Sequence, residues 1–326
     1  MKKRYIAALA AFAFPLTACG GSNAATADEL NVLTSFYPLQ YLAQEIGGNH
    51  VKVSNLTPAG GEPHDLELNT KDVAAIGDSA VVIYQKGFQK AVDDAVKQTS
   101  PKHAVDVSGA VKLVPMKDHE VQDADVSDED AKTKKDASEA DHEDAHGDEH
   151  GHDHDGLDPH FWLDPARMKE AVPLVVKGLS DAAPNHKADF EKNGQELVKK
   201  LENLDSSYQN GLKQCKLDTI IVSHEAYGYM AAKYGFKQIG LAGFDPEQEA
   251  SPAQLKKIEQ VAKSKGITTI FSEDKINTKT AQTMAKDLGI KSEVLNPLES
   301  LSDAKMTYDS EMKANLQKLK AALQCQ

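Results

Sequence analysis

The chain is 326 residues long, 40% hydrophobic and 27% charged, enough to bury the cores of two domains of about 100–200 residues each. With 50 acidic against 37 basic side chains, a formal net charge of −13 and no basic cluster beyond Lys2-Lys3-Arg4, it lacks the footprint for gripping nucleic acid phosphates. Its one membrane-like stretch, residues 5–18, is shorter than the roughly 18–20 apolar residues of a spanning helix, which argues against an integral membrane protein.

The first predicted element is a targeting unit. Basic residues 2–4, an apolar run over 5–15 and Leu16-Thr17-Ala18-Cys19 predict a signal peptide over residues 1–18. The last four resemble the bacterial lipobox, which makes Cys19 the lipidated first residue of the mature chain, anchored to the membrane facing outside the cytoplasm; an ordinary cleaved signal with an incidental cysteine is the alternative. Residues 19–27, small and polar, predict a flexible tether.

From residue 28 onward short β-rich runs alternate with helical patterns. Strands are predicted at 30–35, 51–56 and 80–84, and helices at 39–46, 71–77 and 88–97, a rhythm that argues for a parallel sheet of α/β type. Asp164-Pro165 and Ser251-Pro252 each put a capping side chain before a proline, as at the first turn of a helix. Between about 185 and 210 runs a long amphipathic helix with Phe190, Leu197, Leu201 and Leu204 at helical spacing. Strands recur at 219–222, 236–241, 268–271 and 293–295, and a last helix covers 303–323. The expected architecture is an N-terminal α/β lobe over 28–183, a linking helix over 184–211 and a C-terminal α/β lobe over 212–326.

One segment interrupts this rhythm. Residues 117–156 hold sixteen Asp/Glu against four Lys and almost no aliphatic side chains, so they cannot bury enough apolar surface to offset ordering entropy and are expected to be disordered. The segment accounts for most of the net charge, which therefore says little about the folded body.

Export bears on the cysteines, since thiols outside the cytoplasm meet an oxidising environment. Cys215 and Cys325 lie in no C-x-x-C motif and near no catalytic-looking histidine, which favours a disulfide between them over two free buried thiols.

The twelve histidines fall into three sets. His142, His146, His150, His152 and His154 crowd the end of the acidic segment, where imidazole and carboxylate can offer Zn2+ several weak combinations; a solvated spacer whose histidines do nothing is the alternative. His64, His160 and His224 sit in turn-rich contexts, and His64 and His224 follow the carboxyl ends of predicted strands, where open α/β sheets place ligands. His50, His103, His119 and His186 have no such setting and read as surface groups.

At this point the sequence resembles the metal-binding solute-binding lipoproteins of bacterial ABC importers for zinc and manganese, over nearly the whole mature chain. The resemblance is carried by Thr34-Ser35-Phe36-Tyr37-Pro38, Gly61-Glu62-Pro63-His64-Asp65, Asp158-Pro159-His160-Phe161-Trp162-Leu163-Asp164, Val222-Ser223-His224-Glu225-Ala226-Tyr227 and Leu295-Asn296-Pro297-Leu298-Glu299-Ser300, and by the His-rich insertion before Asp158. It implies two pseudo-symmetric lobes linked by a rigid helix, a metal in the cleft between them, and a permease as partner. Carried over residue by residue, His64 and His160 would come from the first lobe and His224 and Glu299 from the second, with Glu273 or water as rivals to Glu299. Manganese-type members carry a carboxylate in place of His224, so the imidazole here points to Zn2+ as the transported ligand, in keeping with the preference of three imidazoles and one carboxylate for four-coordinate zinc.

The functional expectation is thus a zinc receptor, not an enzyme, acting as a monomer. A manganese-binding member of the same family is one alternative. Another is a zinc-dependent hydrolase with three histidine ligands, a metal-bound water and Glu225 or Glu62 as base, although H-E-x-x-H and G-x-S-x-G are both absent. A passive surface adhesin, for which a lipid anchor would suffice, is the third.

Overall fold

The computed structural model describes residues 29–116, 156–246, 250–273, 278–301, 303 and 305–326. The predicted signal and tether with Cys19, and residues 117–155 of the acidic segment with His119 and its five clustered histidines, lie outside the described residues. Among the described residues no helix is long and apolar enough to cross a membrane.

Two four-stranded parallel sheets form, each with the same strand order. In the first, β1 (Leu30–Thr34) lies between β2 (Val51–Asn55) and β3 (Val81–Tyr84), with β4 (Ala104–Asp106) at the far edge. In the second, β5 (Thr219–Val222) lies between β6 (Lys237–Gly240) and β7 (Thr269–Ser272), with β8 (Lys291–Val294) at the edge. In both, the chain leaves the first strand and returns on either side of it, which opens a crevice at the strands' carboxyl ends.

Central strands read as unbroken apolar runs because both of their faces are covered. Val32, Val81 and Ile83 face one core while Leu33 and Val82 face another, beneath α2 (Thr70–Asp78) and α3 (Lys90–Thr99). In the second lobe Ile220, Val222 and Phe271 join the same core as Val32, whereas Ile221 and Ile270 pack beneath α8 (Pro252–Lys265) and α9 (Thr278–Leu288). A single apolar cluster thus runs from one lobe into the other, through Phe36, Trp162, Tyr227, Leu298 and Tyr308, all buried. Tyr308 Oη donates to Trp162 O at 2.5 Å and Trp162 Nε1 donates to Pro297 O at 2.8 Å across this junction.

Helix α6 (Lys187–Gly211) is the linking helix, its 25 residues spanning about 37 Å. Its stripe of Phe190, Leu197, Leu201, Leu204 and Tyr208 is buried, and Gly194 lets α5 (Pro165–Ala182) approach: a Cβ there would stand 2.6 Å from Val176 Cγ2. Near its start Asn193 Nδ2 donates to Ile46 O at the end of α1 (Tyr37–Gly47), and near its end Tyr208 Oη donates to Met312 O in α10 (Tyr308–Ala322). Cys215 and Cys325 form a disulfide across a short antiparallel bridge, tying the chain just beyond α6 to the chain's last turn.

The expected capping side chains form: Asp164 accepts from Ala166 N at the start of α5 and Ser251 from Gln254 N at the start of α8. Four elements differ from expectation. β8 starts at Lys291, earlier than residue 293, and β4 was not foreseen, because both are edge strands whose exposed residues break the apolar run. Helix α3 starts at Lys90 because Phe88 is withdrawn into the core, and α10 starts at Tyr308 because Thr307 and Ser310 form a capping box there.

Candidate metal centre

Each lobe delivers donors from the loops beyond its strands. His64 lies between β2 and α2, in a loop turned by Gly60, whose φ of +69° suits a residue without Cβ, and by a Gly61 N to Pro58 O hydrogen bond of 2.8 Å. Gln89 Nε2 holds that loop by donating to Pro63 O at 3.1 Å and Thr57 Oγ1 at 3.2 Å, and Phe88 presents its ring to the imidazole at a centroid distance of 4.9 Å. His160 precedes the 3-10 turn Phe161–Leu163 that leads into α5, and Gln85, just past β3, donates to Pro159 O at 3.0 Å. His224 follows β5 directly, its loop fixed by hydrogen bonds from Ala242 N to Ser223 O and from Glu225 N to Gly243 O.

Glu299 arrives on the loop after β8. Leu298, immediately before it, holds a φ of +56°, a left-handed conformation that costs a branched residue energy and persists only when its surroundings fix it. Here Asn296 Oδ1 accepts from Leu298 N at 2.8 Å, Asn315 brackets Asn296 on both sides, and the Leu298 side chain is fully buried.

The four side chains converge. Oε1 of Glu299 lies 3.3 Å from Nε2 of each of His64, His160 and His224, and Nε2 of His160 lies 3.4 Å from Nε2 of both other histidines. Five of the six donor-to-donor distances are thereby 3.3–3.4 Å and all four donors lie within 4.8 Å of one another, where ligands placed tetrahedrally at the Zn2+ bonding distance of about 2.0–2.1 Å would stand about 3.3–3.4 Å apart. Exposure of the four residues is 6% for His64, 0% for His160, 1% for His224 and 3% for Glu299, so the cleft is shut over them.

The remaining ring nitrogens set the tautomers. His160 Nδ1 donates to Asp158 Oδ1 at 2.8 Å, and His224 Nδ1 to Glu273 Oε1 at 2.6 Å, which leaves both Nε2 lone pairs for a cation. Glu273, the rival for the fourth donor position, is thus engaged with the far side of His224, while Glu299 faces all three Nε2 atoms. Glu225 Oε1 accepts from Gly240 N at 3.1 Å, and Glu62 Oε1 accepts from His64 N at 2.8 Å, so both candidate bases brace the loops.

Charge in the centre follows from burial and these carboxylates. Burial draws His64 below the ordinary imidazole range, against the pull of Glu299. Burial acts the same way on His160 and His224, but Asp158 and Glu299 hold the first above that range, and Glu273 and Glu299 hold the second well above it. Burial also opposes ionisation of Glu299, yet the charges of His64 and His224 keep its carboxyl well below the usual range. Glu62 is pushed up to about 9, by burial and then by the charge of Glu299. A site that gathers protons and carboxylates in this way is one a divalent cation would relieve.

Sequence reasoning missed a second convergence. His50 and His186, read as isolated surface groups, stack on one another beside Asp189. Their separation along the chain hid the contact.

Two parallel-sheet lobes bridged by one long helix, with four buried donor side chains gathered between them, are the architecture of a solute-binding protein. The chain belongs to the ZnuA family, described as zinc-uptake complex component A, periplasmic, which matches residues 32–322. It is 34% identical to the high-affinity zinc uptake system protein ZnuA of Bacillus subtilis (strain 168), over 94% of this chain and 93% of that protein. It is likewise 34% identical to the zinc-binding lipoprotein AdcA of Streptococcus pneumoniae (strain ATCC BAA-255 / R6), over 98% of this chain but only 61% of that longer protein. The Zn(II)-bound ZnuA-like domain of S. pneumoniae AdcA superposes with a TM-score of 0.70 at 30% identity, covering 90% of this chain and 99% of that one.

Proposed function

We propose that this chain is an extracytoplasmic receptor that captures Zn2+ on His64, His160, His224 and Glu299 and delivers it to an ABC permease. The observation that carries the reading is the convergence of four buried donor atoms, five of whose six separations are 3.3–3.4 Å. A carboxylate in the fourth corner supports binding over hydrolysis, because a hydrolytic zinc keeps that position for water. Three nitrogens with one oxygen also favour zinc over manganese, which prefers more numerous, harder oxygen donors. The names of the B. subtilis and S. pneumoniae relatives agree with this assignment.

The receptor works as a lipid-anchored monomer, tethered through Cys19 and residues 19–27 after removal of residues 1–18, with the histidines at 142, 146, 150, 152 and 154 serving as a weak zinc collector. Lobe boundaries follow as 28–183 and 212–326 around the helix at 184–211.

The test is metal analysis and competitive titration of the soluble chain from residue 28 onward. One tightly held Zn2+ is expected, lost or sharply weakened in His64→Ala, His160→Ala and His224→Ala, and His224→Glu should move the preference toward Mn2+. If all three alanine variants held zinc like the parent, the assignment would be wrong.

A further inference from the structure

His50, His186 and Asp189 form a second candidate metal site, on the surface and separate from the cleft. One donor atom from each lies within 4.8 Å of the other two. His50 closes the 3-10 turn Gly48–His50 that leads into β2, so it sits at the amino end of that strand. The cleft donors lie beyond the carboxyl ends, so the length of β2, about 16 Å, separates the two regions and no ion can be shared. His186 closes the turn Pro184–His186 ahead of α6, and Asp189 lies in the first turn of that helix.

The three side chains are gathered before any ion arrives, and the stacked rings need only splay for both to turn a nitrogen toward it. Nε2 of His50 lies 3.0 Å from Oδ2 of Asp189, and the two imidazoles stack at 3.9 Å between centroids. Phe190, fully buried, backs both rings at 5.9 and 6.2 Å. The frame beneath is pinned by the hydrogen bond from Asn193 Nδ2 to Ile46 O.

From this geometry we propose that the cluster binds a borderline divalent transition ion such as Zn2+, through two imidazole nitrogens and one carboxylate oxygen with water completing the shell. Two nitrogens and an oxygen are a common donor set for such ions, and bringing donors that lie within 4.8 Å of one another to the roughly 3.3 Å of tetrahedral zinc asks for at most about 1.5 Å of approach by two half-buried imidazoles and one exposed carboxylate. The ion replaces the proton between His50 and Asp189, which leaves to solvent. Asp189 has a further task, since the positive N-terminal end of α6 repels a cation and the carboxylate must offset it. An occupied site would clamp the turn after α1 to the start of the linking helix. The proposal is independent of the cleft assignment, because none of its residues belongs there.

The experiment uses the mature chain with His119, His142, His146, His150, His152 and His154 all changed to alanine, so that the acidic segment contributes no imidazole. Equilibrium dialysis with Zn2+ is then compared between this background and the same chain carrying His186→Ala or Asp189→Asn. Each substitution should remove one weakly held equivalent and leave the tight one in place. Crystals soaked in Zn2+ should give an anomalous peak within bonding distance of His50 Nε2 and Asp189, absent in the His186→Ala variant. Far-UV circular dichroism should be the same for all three, since the substituted side chains are surface groups. Equal zinc uptake with and without the substitutions, or no peak between His50 and His186, would overturn the proposal. Loss of the tight equivalent with the weak one kept would overturn it as well.

Discussion

Nδ1 of His224 stands 2.6 Å from Oε1 of Glu273, and this contact makes Glu273 a partner of the imidazole on the side away from the other donors. An acceptor carboxylate there fixes the tautomer and raises the basicity of Nε2, and losing it commonly costs 10–100-fold in metal affinity. Glu273→Gln should therefore weaken zinc binding by about 10–100-fold while the metal keeps its three nitrogens and one oxygen, as X-ray absorption would report. A lost oxygen in that variant, with Glu299→Gln unchanged, would make Glu273 the ligand after all.

The pH dependence follows from the raised histidines. In the metal-free protein burial is outweighed at His160 by Asp158 and Glu299, and at His224 by Glu273 and Glu299, so both rings hold protons above the ordinary value near 6.5. Zinc must displace those protons, whereas burial draws His64 down, so that it holds a proton less tightly than a free imidazole. Affinity should thus begin to fall as pH drops through a window above about 6.5, losing up to about tenfold per unit for each proton displaced. Calorimetry in buffers of different ionisation heat should find protons released at neutral pH. A flat affinity down to pH ~6.5 would contradict these directions.

The Cys215–Cys325 bridge closes a loop of 110 residues, for which the chain-entropy argument gives stabilisation of up to about 4–5 kcal/mol. Reduction, or the paired change to serine, should lower the denaturation midpoint and leave zinc binding at neutral pH intact, since neither cysteine touches the donors. Intact mass after alkylation without reductant is the direct check. Two freely alkylated thiols in protein from an oxidising compartment would refute the bridge.

The ends of the acidic segment meet in the structure: Pro115 pairs with Leu157 in an antiparallel bridge, and Met116 N donates to Gly156 O at 2.9 Å. A deletion of residues 118–155 therefore rejoins chain ends that already lie side by side, and loop-closure entropy changes by only about 0.6 kcal/mol per twofold change in length. The shortened protein should fold, keep one tight zinc and lose weak equivalents in calorimetry. Loss of the tight ion instead would mean that His142, His146, His150, His152 or His154 belongs to the principal site.

Central strands such as 219–222 were legible because their apolar runs admit little but a buried parallel strand, and the capping pairs Asp164-Pro165 and Ser251-Pro252 marked helix starts. Edge strands β4 and β8 were not, since one exposed side lets polar residues in. His64, His160 and His224 stood out by their turn-rich settings, the first and last also by position beyond strand ends, and the family resemblance added Glu299. What no local pattern carries is the left-handed turn at Leu298 that aims Glu299, the orientation of Glu273 toward Nδ1 of His224, or the meeting of His50 with His186. Each depends on segments far apart in the chain reaching one place.

The shut cleft also has a kinetic meaning. An ion seated on donors no more than 6% exposed offers a chelator no open edge to attack, so its departure must wait for the lobes to part. Removal by excess chelator would then become first order, with a rate that stops rising as chelator is added. Parting the lobes also pulls apart the apolar cluster that joins Phe36 and Trp162 to Tyr227 and Leu298, so release should speed up steeply on warming.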